Sequence, residues 1–177
     1  MSVQTTYTTA PAAAYAGMLA DDTENDIMTL ENGGTPSIPF GAPVSYKTGS
    51  TSDKSAQLIA ATTDKIAGIL VHSHDYQRTF TLPDGTVEGE LDSTGLVTGT
   101  EMAVLWRGTI WVKVFDAVAV GDAVYFAVDS GGAHYTGAGQ IGNTADAGHA
   151  VLIANASWVS SSAANGFAKL RLAAKVA

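Results

Sequence analysis

Cysteine is absent from this 177-residue chain. That excludes a disulfide framework and any thiolate metal or redox centre, so stability has to come from packing or from association. Basic residues are scarce, with nine Lys and Arg against 17 Asp and Glu, for a formal charge of −8. Duplex binding needs clustered cations to neutralise phosphates, so no nucleic-acid partner is expected. No segment reaches the ~20 apolar residues that span a bilayer. The alanine-rich stretch from Ala10 to Ala20 lacks a basic flank and is interrupted by Pro11, Tyr15 and Gly17, unlike a secretory leader. The expectation is a soluble product made inside the cell, with no membrane partner.

What the chain does have is apolar residues, 46% of the total, enough for one core-forming domain or a domain with an arm. From Ile38 onward they come in short runs: 40–46, 58–61, 66–74, 78–82, 102–114, 123–128, 150–154, 156–159 and 167–172. Gly- and Asp-containing joints separate them, notably Pro83-Asp84-Gly85-Thr86, Val120-Gly121-Asp122 and Asp129-Ser130-Gly131-Gly132. This is an all-β rhythm, and it predicts a small β-barrel or jelly-roll-like sandwich.

The clearest element is the stretch Met102 to Val128, which reads as two strands hinged on the Val120-Gly121-Asp122 turn. A period of two puts Met102, Val104, Trp106, Gly108, Ile110, Val112 and Val114 on one face. Ala103, Leu105, Arg107, Thr109, Trp111 and Lys113 take the other. Trp106 is therefore expected in the core, while Arg107, Trp111 and Lys113 form a mixed face suited to a neighbouring subunit. Tyr125 and Trp158 are further aromatic candidates for an outward role. At the end of the chain Ala168, Leu170 and Leu172 alternate with Phe167, Lys169 and Arg171.

Residues 1–37 differ in composition. Thr, Ala and Pro lead into the acidic group Asp21, Asp22, Glu24 and Asp26 and the turn-rich Asn32-Gly33-Gly34-Thr35-Pro36. With too few large apolar residues for a core of its own, this segment reads as an extended N-terminal arm on a body spanning 38–177. A short helix capped by Asp21 or Asp22 is the alternative local reading. Tyr7, Tyr15, Met18 and Leu19, together with Phe40, are the apolar anchors by which such an arm would hold a partner.

Catalytic and ligand motifs are weak. Gly137-Ala138-Gly139-Gln140-Ile141-Gly142 matches a dinucleotide fingerprint, but turn-forming residues follow where a helix is required. His72 and His74 share a strand face beside Asp75 without an identifiable further ligand, so no metal or cofactor is assigned. No G-x-S-x-G elbow occurs. Glu88, Glu90 and Asp92 alternate along one face, which leaves a carboxylate-dependent hydrolase or a carbohydrate- or host-surface-binding β-module as alternatives.

Residues Gln4 to Ile27, above all Ala14 to Asp21, followed by Ile38-Pro39-Phe40-Gly41-Ala42-Pro43-Val44, resemble the opening of the structural cement proteins of tailed bacteriophages. Ile66 to Val71, the Val-x-x-Gly-Asp-x-Val-Tyr turn within Val118 to Phe126, Gly139 to Gly142 and Ala168 to Leu172 fit later parts of the same pattern. The resemblance covers nearly the whole chain. It implies a non-enzymatic decoration protein on the outer surface of the head, bridging major capsid subunits and stabilising the shell. It also implies self-association, as a homotrimer or alternatively a dimer.

Overall fold

The computed structural model of the protein describes residues 14–21, 24–49, 54–73 and 95–173, together with the backbone of 80–81 and 87–88. Among the described residues there is no helix. The strands are β1 (Asp26–Asn32), β2 (Pro43–Tyr46), β3 (Ser55–Leu58), β4 (Ile66–Leu70), β5 (Phe80–Thr81) and β6 (Val87–Glu88). They continue with β7 (Glu101–Lys113), β8 (Tyr125–Ala127), β9 (Ile141–Gly142), β10 (Ala150–Leu152), β11 (Ala156–Trp158) and β12 (Phe167–Leu172). Five of them close a barrel in the order β1-β3-β2-β4-β7, with β7 pairing back onto β1. Closure removes the unpaired edges that an open sheet of these strands would expose.

The barrel encloses Leu30, Ile38, Val44, Ala56, Leu70, Leu96, Met102 and Val104. One polar side chain joins them: Asn32 is fully buried, donates from Nδ2 to the Leu96 carbonyl at 2.9 Å and accepts from the Gly34 amide at 3.1 Å. Both of its functions are satisfied, so its burial is not left uncompensated. Packing is close at Gly68, where an added Cβ would strike the Leu105 carbonyl on the neighbouring strand.

β7 is long enough to leave the barrel and continue as the spine of a second layer, where β12 and then β11 add to its C-terminal half. The sheet β10-β8-β9 lies with them around a second core of Ile69, Leu105, Ile110, Val112, Val124, Phe126, Ile141, Ile153, Trp158, Ala168 and Leu170. Leu105 and Ile110 both enter this core although they differ in parity. The reason is a register shift: Asp26 pairs with Arg107 but Ile27 pairs with Leu105, so Trp106 is the extra residue of a β-bulge. Gly108 follows at φ +132°, packed so closely on Asn25 that no Cβ fits.

The bulge overturns the expectation for Trp106. Strict alternation assigns it to the core, whereas the structure turns it outward with 39% of its surface exposed. Trp158 departs in the opposite direction: it is buried, with Nε1 donating to the Ala123 carbonyl at 3.2 Å. The turn at Val120-Gly121-Asp122 forms, but it does not join a hairpin. β7 pairs with β1, β4 and β12, and β8 with β9 and β10. The composition break at 37/38 is no strand boundary either, since β1 lies before it and closes the barrel. Asp21, Glu24 and Asn25 are non-helical and precede β1, and Asp22 lies outside the described residues.

Candidate functional site

Two surfaces meet along β7. On its edge opposite β12, the remaining described part of the N-terminal segment adds as a short strand. The Gly17 amide donates to the Trp111 carbonyl, the Trp111 amide to the Met18 carbonyl, and the Ala20 amide to the Thr109 carbonyl, each at 2.8 Å. Leu19 packs against the second core. Tyr15 stays 41% exposed, with its ring edge-on to His72 at 4.5 Å, and His72 is also 4.5 Å from the Phe40 ring. Phe40, Lys113, Phe115 and Ile141 line a cleft of about 490 Å³ beside this cluster. The structure thus brings Tyr15, Met18, Leu19 and Phe40 onto the chain's own body, and Tyr7 lies outside the described residues.

The second surface is the outer face of the sheet β7-β12-β11. Residues 109, 111 and 113 of β7 pair with Arg171, Lys169 and Phe167 of β12, and Arg171 pairs with Ser157 of β11. Lys169 Nζ sits 5.2 Å from the Trp111 ring centroid, a cation–π contact that covers part of the half-buried indole. Lys113 and Arg171 are exposed. Arg107, expected beside Trp111, is drawn away by the bulge: its guanidinium reaches Glu24 at 3.1 Å and Asp26 at 3.5 Å. It fastens the N-terminal segment to β7, while Trp111 and Lys113 remain together.

Polar side chains of the second layer hold turns. Asp122 accepts from the Ala119 amide at 2.9 Å and the Asn143 amide at 2.7 Å, and these two bonds hold its carboxyl below the usual range. Asp129 is lowered by the Gly131 amide and then by His149, whose Nδ1 is 2.7 Å away. Asp146 is lowered chiefly by the His134 amide. His134 Nε2 lies 2.7 Å from Asp116. Burial, and then the charge of Asp116, pushes the Tyr135 hydroxyl well above its ordinary value, and that hydroxyl donates to the Thr144 carbonyl at 2.8 Å. Asp122, Asp129 and Asp146 are committed to turns, whereas Asp116 meets His134 through Oδ1 and leaves Oδ2 buried without a partner; among the described residues no three His, Asp or Glu side chains gather as a metal site.

The glycine-rich segment 137–142 runs into β9 and not into a helix, with the Gly139 amide bonded to the Ala127 carbonyl. That geometry offers no helix N-terminus to a pyrophosphate. His74, Asp75, Glu90 and Asp92 lie outside the described residues, and of Glu88 only the backbone is described. What reading by alternation missed is the outward Trp106 beside Ile27. A bulge of one residue has no sequence period to reveal it.

Trp106 and Phe167 are exposed and Trp111 half-buried on strand faces, while Trp158, Phe126 and Tyr135 are buried. Exposed aromatics suit contact with other proteins, and comparison with known proteins agrees. Residues 3–173 match the family model described as structural cement protein (E217 gp24/Pam3 gp6). Among solved structures, a chain from the capsid of Myoviridae phage XM1 superposes with a TM-score of 0.66. The match covers 99% of this chain and 100% of that one at 18% identity, a likeness of fold. No curated protein matches the chain. With the family model spanning almost its whole length, the chain belongs to the structural cement proteins, the capsid-stabilising components of phage heads.

Proposed function

We propose that this protein, made in the host cytoplasm, decorates the outer surface of the phage head and bridges neighbouring major capsid subunits without catalysing a reaction. The observation that carries this reading is the family match over residues 3–173. The fold supports it: a closed barrel is a stiff spacer, and the contacts of many copies repeated over a shell add by avidity, so each one can be weak. The segment ending at Ala20 is the capsid-facing arm, with Tyr7 and the exposed Tyr15 as its anchors. Met18, Leu19 and Phe40 seat its base on the body. Trp111 and Lys113 belong to the face available to a neighbouring subunit, with Arg107 as the internal tether behind them.

The experiment is electron cryomicroscopy of heads lacking this protein, before and after it is added. Ordered density on the exterior, spanning adjacent capsid subunits, is expected. Added protein that leaves the exterior bare, or that occupies single subunits without spanning them, contradicts the bridging reading.

A further inference from the structure

The cleft of about 490 Å³ beside the Tyr15–His72–Phe40 cluster lies where three parts of the molecule meet. Ala16 comes from the N-terminal segment, Phe40 and Ala42 from the barrel, Phe115 from the chain that follows β7, and Ile141 from β9 of the second layer. Its walls are therefore largely apolar, and its size falls within the range of about 300–1,000 Å³ in which ligand pockets are found. Nothing in the turns or the core requires such a space.

Charge in the cleft is one-sided. On a chain of net charge −8, no Asp or Glu lines it, whereas Lys113 does. Lys113 is exposed and, among the described residues, has no carboxylate within ion-pair distance. Asn165 lines the cleft as well and is held at φ +61°, a left-handed backbone that few residues other than glycine adopt. Among the described residues its side-chain amide makes no hydrogen bond. Two other polar side chains of the wall satisfy each other: the Thr136 amide donates to Gln140 Oε1 at 2.8 Å, and Gln140 Nε2 donates to Thr136 Oγ1 at 2.9 Å. An ammonium group and an amide thus stand unengaged beside an apolar wall, and both can donate to a carboxylate.

We propose that this cleft docks an extended peptide segment of the major capsid protein, with an apolar side chain against Phe40 and Phe115 and an Asp or Glu side chain on Lys113 and Asn165. The source of the segment rests on the capsid reading; its chemistry comes from the cleft. Charge complementarity selects the occupant. A neutral or basic segment leaves Lys113 without a counter-ion, and residues 1–13 of the chain itself contain no Asp or Glu. In an extended segment the two recognised side chains stand two residues apart, because alternate side chains share a face. A segment held here touches the barrel, the second layer and the N-terminal segment together.

The test titrates isotope-labelled, full-length protein with the capped peptide acetyl-Thr-Val-Phe-Val-Glu-Thr-amide, followed by NMR. Saturable shifts are expected at the amides of Lys113, Phe115, Gly139 and Gln140. The same peptide with Lys in place of Glu should bind about tenfold more weakly or worse. Ala138→Trp, at an exposed position of the cleft wall, fills the space and should abolish binding. Lys113→Glu should reverse the preference between the two peptides, while Lys65→Glu, the same charge change at the exposed start of β4, should bind as the wild type does. Circular dichroism verifies the fold of each variant. Shifts that do not saturate or that map elsewhere, equal affinity for the two peptides, or full binding by Ala138→Trp overturns the proposal. Stripped heads separate the two readings. Heads that take up the wild type but not Ala138→Trp support the cleft as the contact, and heads that take up both equally overturn it while the capsid reading stands. Heads that take up neither contradict the capsid reading and, with it, the source of the segment.

Discussion

The barrel and the second layer solve the same problem by different means. In the barrel, five strands close on themselves around an apolar cluster that Asn32 joins, its Nδ2 and Oδ1 each bonded to one backbone group. In the second layer the strands are shorter and are joined by long turns held by carboxylates, with Asp122, Asp129 and Asp146 accepting backbone amides. The barrel is held by closure, with Asp64 anchoring its β3–β4 turn through the Ala60 and Ala61 amides at 3.0 Å, and the second layer by a core plus several such turn anchors. Their sensitivities should therefore differ, and β7, which runs through both, couples them.

The largest expected effect separates the arm from the barrel. Deleting residues 1–37 removes β1, opens the barrel and exposes Leu30's neighbours, so the cooperative thermal transition should be lost. Deleting residues 1–13 takes none of the described barrel strands, and calorimetry should find the transition retained. If the longer deletion melts like the full chain, β1 does not close the barrel as described.

A pair of tryptophans sharpens the contrast next. Trp158→Ala empties a buried site in the second core and should cost about 3–5 kcal/mol in chemical denaturation. Trp106→Ala, at the exposed bulge, should fall within about 0.5 kcal/mol of the wild type. Equal losses would place Trp106 in a core after all.

The smallest expected effect is on acidification. Asp122, Asp129 and Asp146 have folded values held below those of the unfolded chain. Their contribution is therefore complete above the unfolded carboxylate value, near pH 4, and is lost as the pH falls through the folded values. Amide exchange, corrected for its intrinsic pH dependence, should speed up around β8, β9 and β10 below about pH 4 before it does in β1 and β2. Simultaneous loss of protection in both regions would show that the turn anchors do not distinguish the layers.

Much of this division was legible in the sequence. The alternation of Phe167 to Leu172 places Ala168, Leu170 and Leu172 inward, as observed, and the runs from Ile38 onward match β2, β4, β5, β7, β8, β10, β11 and β12, whereas 58–61 meets β3 only at Leu58 and β6 and β9 fall in no run. β1 was hidden because Asp26, Thr29 and Glu31 point outward and Asn32 points in. The strand thus reads as polar although Met28 and Leu30 alternate correctly. Trp106 was misplaced because a bulge inserts one residue without altering composition. Closure and the β7–β12 pairing depend on contacts between residues far apart in the chain, which local periodicity does not encode. Of the residues proposed for a subunit contact, Trp111 and Lys113 share a face as alternation predicts, whereas Arg107 is captured by Glu24 and Asp26.

A cement protein is defined by what it does to a shell. The most direct measurement is the temperature at which DNA is released from heads stripped of this protein, taken with and without the purified chain added back. The release temperature should rise with added protein and level off as the sites fill. A release temperature that does not move while the protein is seen bound would contradict the cementing role.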